Sequence, residues 1–175
     1  TDRGYTATRK ALKLVAFSNE RRTPISSPTT MSMICVTNDD DEILLISREN
    51  KPFQGWYSMP TGPINLGESL QEAARRELHE KTTLQTTEDL QQVGVLDYRY
   101  VDKESGDIFV HVIAFIYTYH YKGDKQALND AVTKYGQMSW SNLGRSHILP
   151  EVFAIKKLVD SGEFTQSSVN FVEPS

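Results

Sequence analysis

The chain has 175 residues, of which 38% are hydrophobic and 24% charged, and its net charge is −4. That length supports one domain with a real core, and the composition is ordinary for a globular protein. The slight negative charge argues against a general affinity for nucleic acid or anionic membrane, and no apolar run approaches the ~20 residues needed to span a bilayer.

Residues 1–17 start polar and have no long apolar segment ahead of a cleavage site, so no secretory signal is expected. Within them, Ala11, Leu12, Leu14, Val15 and Ala16 predict a short helix over residues 7–17. Residues 20–30 carry two prolines and several hydroxyl side chains and read as a linker. Residues 31–36 and 43–47 predict two strands joined by the turn Asn38-Asp39-Asp40-Asp41, hence a hairpin. The acidic run over residues 39–42 reads as a solvated turn, not a metal site, because it joins two apolar runs at hairpin spacing. The one cysteine, Cys35, lies in the first of those runs; it reads as a core thiol and fits a cytoplasmic protein.

Residues 50–60 form a loop containing Gly55, Trp56 and Tyr57, and residues 69–81 give the clearest helix. Strands are predicted over residues 93–100 and 108–119, the second rich in β-branched and aromatic side chains, with a turn at 103–107 between them. A short strand is expected at 138–140. A last helix is expected over 150–159, with Pro150 suited to its first turn and Gly162 to its stop. His111 and His147 read as structural histidines. Strands and helices alternate, so the reading is one α/β domain with a small amino-terminal appendage.

The helix over 69–81 carries the chemistry. Leu70, Ala74 and Leu78 recur every four residues and form one buried stripe. Glu77 and Glu80 are neighbours on the helix surface and, with Lys81, flank that stripe. Glu72, Arg75 and His79 point to water. Two carboxylates at a core edge near the glycine turn at Gly62 repel each other unless something positive lies between them. Mg²⁺ or Mn²⁺ meets that need and prefers oxygen ligands. Helix chemistry alone leaves other readings open. Glu77 with Lys81 and Arg76 with Glu80 have ion-pair spacing, and Asn65 with Glu68 and Ser69 with Glu72 each have capping-box spacing.

Gly62, Glu68, Arg76, Glu77, Leu78, Glu80 and Leu84 fall on the register Gly, five residues, Glu, seven residues, Arg-Glu-aliphatic-x-Glu-Glu-x-Gly-aliphatic. With the preceding Gly55-Trp56-Tyr57-Ser58-Met59-Pro60, this segment resembles the signature of the Nudix hydrolase family. The motif covers residues 62–84, and a looser likeness extends from about residue 31 to about 159. The resemblance implies a Nudix-type α/β/α sandwich with a mixed sheet. Its domain would occupy residues 31–162, between an amino-terminal helix and linker (1–30) and a carboxyl-terminal tail (163–175).

Carried over by position, the resemblance implies that Glu77 and Glu80 ligate Mg²⁺ or Mn²⁺, joined by the carbonyl of Thr61. Gly62, Glu68 and Arg76 would be structural, with Glu68 and Arg76 holding the loop to the helix as an ion pair. Arg48, just past the second strand, is a candidate phosphate contact, because a guanidinium matches phosphate oxygens; a surface arginine is the competing reading. Tyr57 and Trp140, with Phe53, are candidates for stacking on a nucleobase, against core or rim packing. The general base of the family often comes from a later loop, where Asp130 is the candidate, against an ordinary loop aspartate.

Four positions depart from the family pattern. Lys81 stands where the second carboxylate of the Glu-Glu pair is expected; its ammonium could replace one metal ion and pair with Glu77. Thr83 stands in place of the glycine that ends the helix and is expected to change that end, since threonine disfavours positive φ. Thr61 and Asn65 also depart from the usual residues.

The expected activity is hydrolysis of a phosphoanhydride bond in a nucleoside di- or triphosphate or a nucleotide conjugate. Residues 143–150 are similar to the end of diphosphatases that act on oxidised guanine nucleotides. The alternative is a Nudix domain that has lost catalysis and binds a nucleotide in a regulatory role. A homodimer driven by the amino-terminal helix is compatible with either.

Overall fold

Each of the first two strands is buried on both faces. In a computed structural model, which describes residues 27–49 and 53–173, β1 (Thr29–Thr37) sends Met33 and Cys35 to one side and Ile34 and Val36 to the other. β2 (Ile43–Ser47) divides Ile43 and Leu45 from Leu44 and Ile46 in the same way. Continuous apolar runs of this kind mark strands with a layer on each side. The helix expected over residues 7–17 lies outside the described residues.

The turn between β1 and β2 is shaped by Asn38, whose side-chain oxygen accepts from the backbone N–H of Asp40 and of Glu42, both at 3.0 Å. Asp41 takes a positive φ of 57°. The acidic side chains find bases from other elements: His120 reaches Asp39 at 2.8 Å, and Lys125 bonds both Asp40 and Glu42. The run is therefore an exposed turn, as expected.

β3 (Tyr57–Ser58) and β4 (Thr61–Pro63) are short strands beside β2 and β1. β5 (Gln91–Val101) and β6 (Ile108–His120) form the second hairpin, turned by Asp102, whose carboxylate accepts from the N–H groups of Glu104 and Ser105. β7 (Val132–Thr133) and β8 (Gly136–Ser141) form a third. Among the described residues these elements, with β9 (Thr165–Val172), join a nine-stranded mixed sheet, in the order β7-β8-β2-β1-β6-β5-β9, with β3 and β4 at the side. β1 runs parallel to β6, and β5 parallel to β9; the other neighbours are antiparallel.

A helix covers each face. α1 (Leu70–Thr82) is capped by Ser69, which exchanges hydrogen bonds with Glu72 in a capping box. Its Ala74 and Leu78 pack on Ile34, Val36, Leu44 and Tyr117. α2 (Pro150–Ser161) has Pro150 in its first turn and stops at Gly162, φ 66°. Its Val152, Ile155 and Leu158 pack on Met33, Cys35, Ile43 and Leu45. This is the expected α/β/α sandwich. Burial pushes the Cys35 thiol up to about 12, which makes it an inert core group. Among the described residues, no helix is long and apolar enough to cross a membrane.

Two expectations are corrected. The stretch read as a carboxyl-terminal tail contains β9 (Thr165–Val172), paired with β5 from Gly94↔Thr165 to Val101↔Val172. Phe171 packs against Tyr98 and Tyr100 with ring centroids at 6.0 and 5.6 Å, while the alternate residues Gln166, Ser168 and Asn170 face out. The helix end at Thr83 keeps the left-handed conformation, φ 65°, that glycine would adopt. There the Thr83 N–H donates to the His79 carbonyl at 2.7 Å, and the Thr82 hydroxyl bonds the Leu78 carbonyl at 2.6 Å and accepts from the Leu84 N–H at 3.2 Å. These bonds hold the turn against the steric cost of Cβ.

Candidate active site

β1 and β2 pair only at Thr37↔Ile43; further along, β4 takes the edge of β1 opposite Met31 to Met33. Where the two strands part, a cavity of about 220 Å³ opens, lined by Ser47, Arg48, Thr61, Gly62, Lys81 and Tyr135 among others. α1 lies against β1 and β4, which brings Glu77 behind Gly62.

Glu77 is charged yet only 2% exposed. It fits because position 62 has no side chain: a Cβ there would lie 2.1 Å from the Glu77 Oε1. Arg76 bonds Glu77 Oε1. Oε2 is buried and has no hydrogen-bond partner; the Lys81 Nζ stands 3.7 Å from it. An unsatisfied buried carboxylate oxygen is costly and calls for an explanation. Glu80 is the more open of the two: Oε2 accepts from the Tyr135 hydroxyl at 3.0 Å, and Oε1 is 3.7 Å from Arg76.

Arg76 ties the loop to the helix. Its Nε and Nη2 bond the two oxygens of Glu68 at 2.7 and 2.8 Å, and Nη2 also donates to the Pro63 carbonyl at 2.9 Å. Hydrogen bonding to Arg76 pulls the Glu68 carboxyl down to about 2, and the same contacts push the guanidinium up. The Lys81 ammonium is mostly buried, and loss of water lowers its pKa, with the charge of Glu77 acting in the opposite sense. Its Nζ lies 3.4 Å from the centroid of the Tyr135 ring.

The other sequence candidates are dispersed. Arg48 lines the cavity, its backbone fixed by bonds to Trp56 and Gly55, both 2.8 Å. Thr61 lines it too, with its hydroxyl on the Ser32 carbonyl at 3.0 Å. Tyr57 does not line it; the Arg145 guanidinium covers its ring at 4.1 Å. Trp140 is packed in the layer under α1, stacked on Tyr121 at 6.0 Å, with its indole N–H on the Lys125 carbonyl at 2.9 Å. Phe53 packs on Tyr100 at 4.6 Å. Asp130 has its oxygens engaged by Asn129 at 3.0 Å and Gln137 at 3.2 Å and stands off the cavity wall.

Two features carried no local signal in the sequence. Tyr135 meets Glu80 and Lys81 from a hairpin far along the chain. Glu151 is buried and accepts from the Tyr100 hydroxyl; burial raises its carboxyl pKa, opposed first by that hydrogen bond and less by the charge of Arg48. A wider hollow of about 930 Å³ lies near Arg75, His79 and residues 118–123; Arg75 in its wall is paired with Asp89 at 2.6 Å, and neither Glu77 nor Glu80 lines it.

The family model of the NUDIX domain matches residues 27–152. The chain belongs to the Nudix family. Over 49 residues this Nudix chain is 43% identical to an ADP-ribose pyrophosphatase of Methanocaldococcus jannaschii, a match covering 28% of the chain and 29% of that relative, so under a third of its length. Its fold is similar to a MutT protein from Bacillus halodurans (18% identity, TM-score 0.62, 82% of this chain and 90% of that one). It is also similar to the NUDIX domain of Shewanella oneidensis NrtR, solved with ADP ribose (19%, 0.62, 86% and 97%). A third likeness is to a bifunctional NMN adenylyltransferase/ADP ribose pyrophosphatase from Francisella tularensis, solved with AMP and a Mn ion (18%, 0.60, 89% and 50%). At these identities the structures speak for the fold alone.

Proposed function

We propose that the chain is a divalent-metal-dependent pyrophosphohydrolase, with a nucleoside diphosphate joined to a sugar, of the ADP-ribose type, as its first substrate class. The observation that carries this reading is the Glu77 Oε2 atom, buried without a hydrogen-bond partner between two cavity-lining residues, Gly62 and Lys81. The match to an ADP-ribose pyrophosphatase supports the substrate class. The likeness of residues 143–150 to enzymes of oxidised guanine nucleotides supplies the second class to test.

The donors fit a hard cation, with a limit. Glu77 Oε2 and Glu80, with the Thr61 carbonyl, would hold it. Among the described residues, no group of three or more His, Cys, Asp or Glu could do so alone. Substrate phosphates would therefore complete the shell, which suits Mg²⁺ or Mn²⁺. When bound, such a cation polarises phosphoryl oxygens and makes an attacking water more acidic.

The residues of the chain supply positioning and charge. Arg48 and Lys81, both in the cavity wall, face phosphate oxygens with positive charge. Arg76 and Glu68 hold the loop and the helix at fixed separation, so that Glu77 stays behind Gly62. Glu80, with 37% of its side chain exposed against 3% for Glu77, is the carboxylate within reach of solvent.

The test is product release from ADP-ribose and a nucleotide panel with Mg²⁺ or Mn²⁺, run beside Glu77→Gln and Glu80→Gln. Glu77→Gln is expected to lose about a hundredfold or more in kcat with the fold intact. Turnover that survives both substitutions would mean the site is placed wrongly. Nucleotide-induced stabilisation without turnover would point to a binding module instead.

A further inference from the structure

Lys81 puts a cation beside a carboxylate that should be ready for a metal. An ammonium next to Glu77 would ordinarily close onto it and satisfy Oε2. It does not: Nζ is 3.7 Å from Oε2, beyond hydrogen-bond distance, and 3.4 Å from the centroid of the Tyr135 ring. An aromatic face attracts a desolvated ammonium, and here it competes with the carboxylate.

Tyr135 is itself fixed. Its hydroxyl donates to Glu80 Oε2 at 3.0 Å, and its N–H donates to the Thr133 hydroxyl at 3.2 Å. The next residue, Gly136, lies so close to β2 that a Cβ would come within 1.7 Å of the Ser47 carbonyl oxygen. The Gln137 N–H then bonds the Ser47 hydroxyl at 3.0 Å. The turn between β7 and β8 is thus pinned to the end of β2, and the ring stands at the cavity wall. The other charged groups around it are Arg76, on Glu77 and near Glu80, and Lys134, 4.8 Å from the ring centroid.

We infer that Tyr135 is a positioning residue that parks the Lys81 ammonium on its ring, so that Glu77 keeps one oxygen available for a divalent cation. This rests on the proposed metal-dependent function. It explains how a lysine in the ligand row is compatible with a cation site: the positive charge is drawn aside, not removed.

The experiment is Mn²⁺ titration of the full chain, alone and with a non-hydrolysable ADP-ribose analogue, followed by water proton relaxation, with thermal melts as the control for folding. Tyr135→Leu removes the ring and is expected to weaken Mn²⁺ binding about tenfold, as Lys81 closes on Glu77. Tyr135→Phe keeps the ring and is expected to stay within about threefold of the unmodified protein. Adding Lys81→Met to Tyr135→Leu should restore binding to the level of Lys81→Met alone. A second readout needs no metal: the Lys81 Cε protons should show an aromatic ring-current shift that survives in Tyr135→Phe and vanishes in Tyr135→Leu. If Tyr135→Leu binds Mn²⁺ like the unmodified protein, or Lys81→Met fails to rescue it, the role of Tyr135 is refuted while the proposed function stands. If the unmodified protein takes up no Mn²⁺ either alone or with a non-hydrolysable ADP-ribose analogue, both are refuted.

Discussion

Gly62→Ala tests the contact on which the site is built. The new Cβ would sit 2.1 Å from Glu77 Cδ and Oε1 and 2.2 Å from Oε2. Carbon contacts settle near 3.5 Å, so the carboxylate must retreat by about 1.4 Å. It has little room, being 2% exposed and held at Oε1 by Arg76. Overpacking of this kind costs about 1–3 kcal/mol. For a chain of this length that corresponds to a fall in Tm of about 2–12 °C. For Glu77 as the proposed cation ligand, a displacement of about 1 Å costs on the order of a hundredfold in rate. Calorimetric melting, together with kcat/KM for ADP-ribose hydrolysis measured at a temperature where both proteins are folded, reads the two effects separately. If Gly62→Ala left both Tm and kcat/KM unchanged, the packing of Glu77 against β4 would not be what positions it.

Two further predictions concern the ends of the same helix. The Arg76 contacts hold the folded-state carboxyl of Glu68 at about 2, below its ordinary 4.5, so the pair stabilises the fold fully above about pH 5 and fades as pH falls from 4.5 towards 2. Melts of the unmodified protein and Glu68→Gln should therefore differ at pH 6 and converge on acidification; a gap that stays constant would contradict the assignment. Thr83→Gly should relieve the cost of a Cβ at φ 65°, a net gain of about 0.5–1 kcal/mol after the added chain entropy of glycine. The expected rise in Tm is about 1–4 °C, and a fall would show that the Thr82 and Thr83 contacts outweigh the strain.

What the sequence made readable was mostly local. The four-residue recurrence of Leu70, Ala74 and Leu78 locates the buried face of α1, and the spacing of Glu68, Arg76 and Glu77 fixes which side chains meet across the loop. Hairpin signals around Asn38 and Asp102 are equally local, because a side chain there caps its own turn. Trp140 was harder to place, although its alternation with Met138 on a strand already pointed to the core. β9 escaped because only Val169, Phe171 and Val172 interrupt a polar stretch, and its inward face is defined by tyrosines on β5. Tyr135 could not be foreseen at all. Its partners lie more than fifty positions earlier, and only the pinning of Gly136 to Ser47 brings them together.

The burial of Cys35 has a practical consequence. This sole sulfhydryl sits on β1, opposite Thr118 of the parallel β6, in the middle of the sheet. Its side chain lies under α2, so a maleimide reaches it only when that helix lifts from the sheet, and its alkylation rate is a native clock for that opening, requiring no introduced probe.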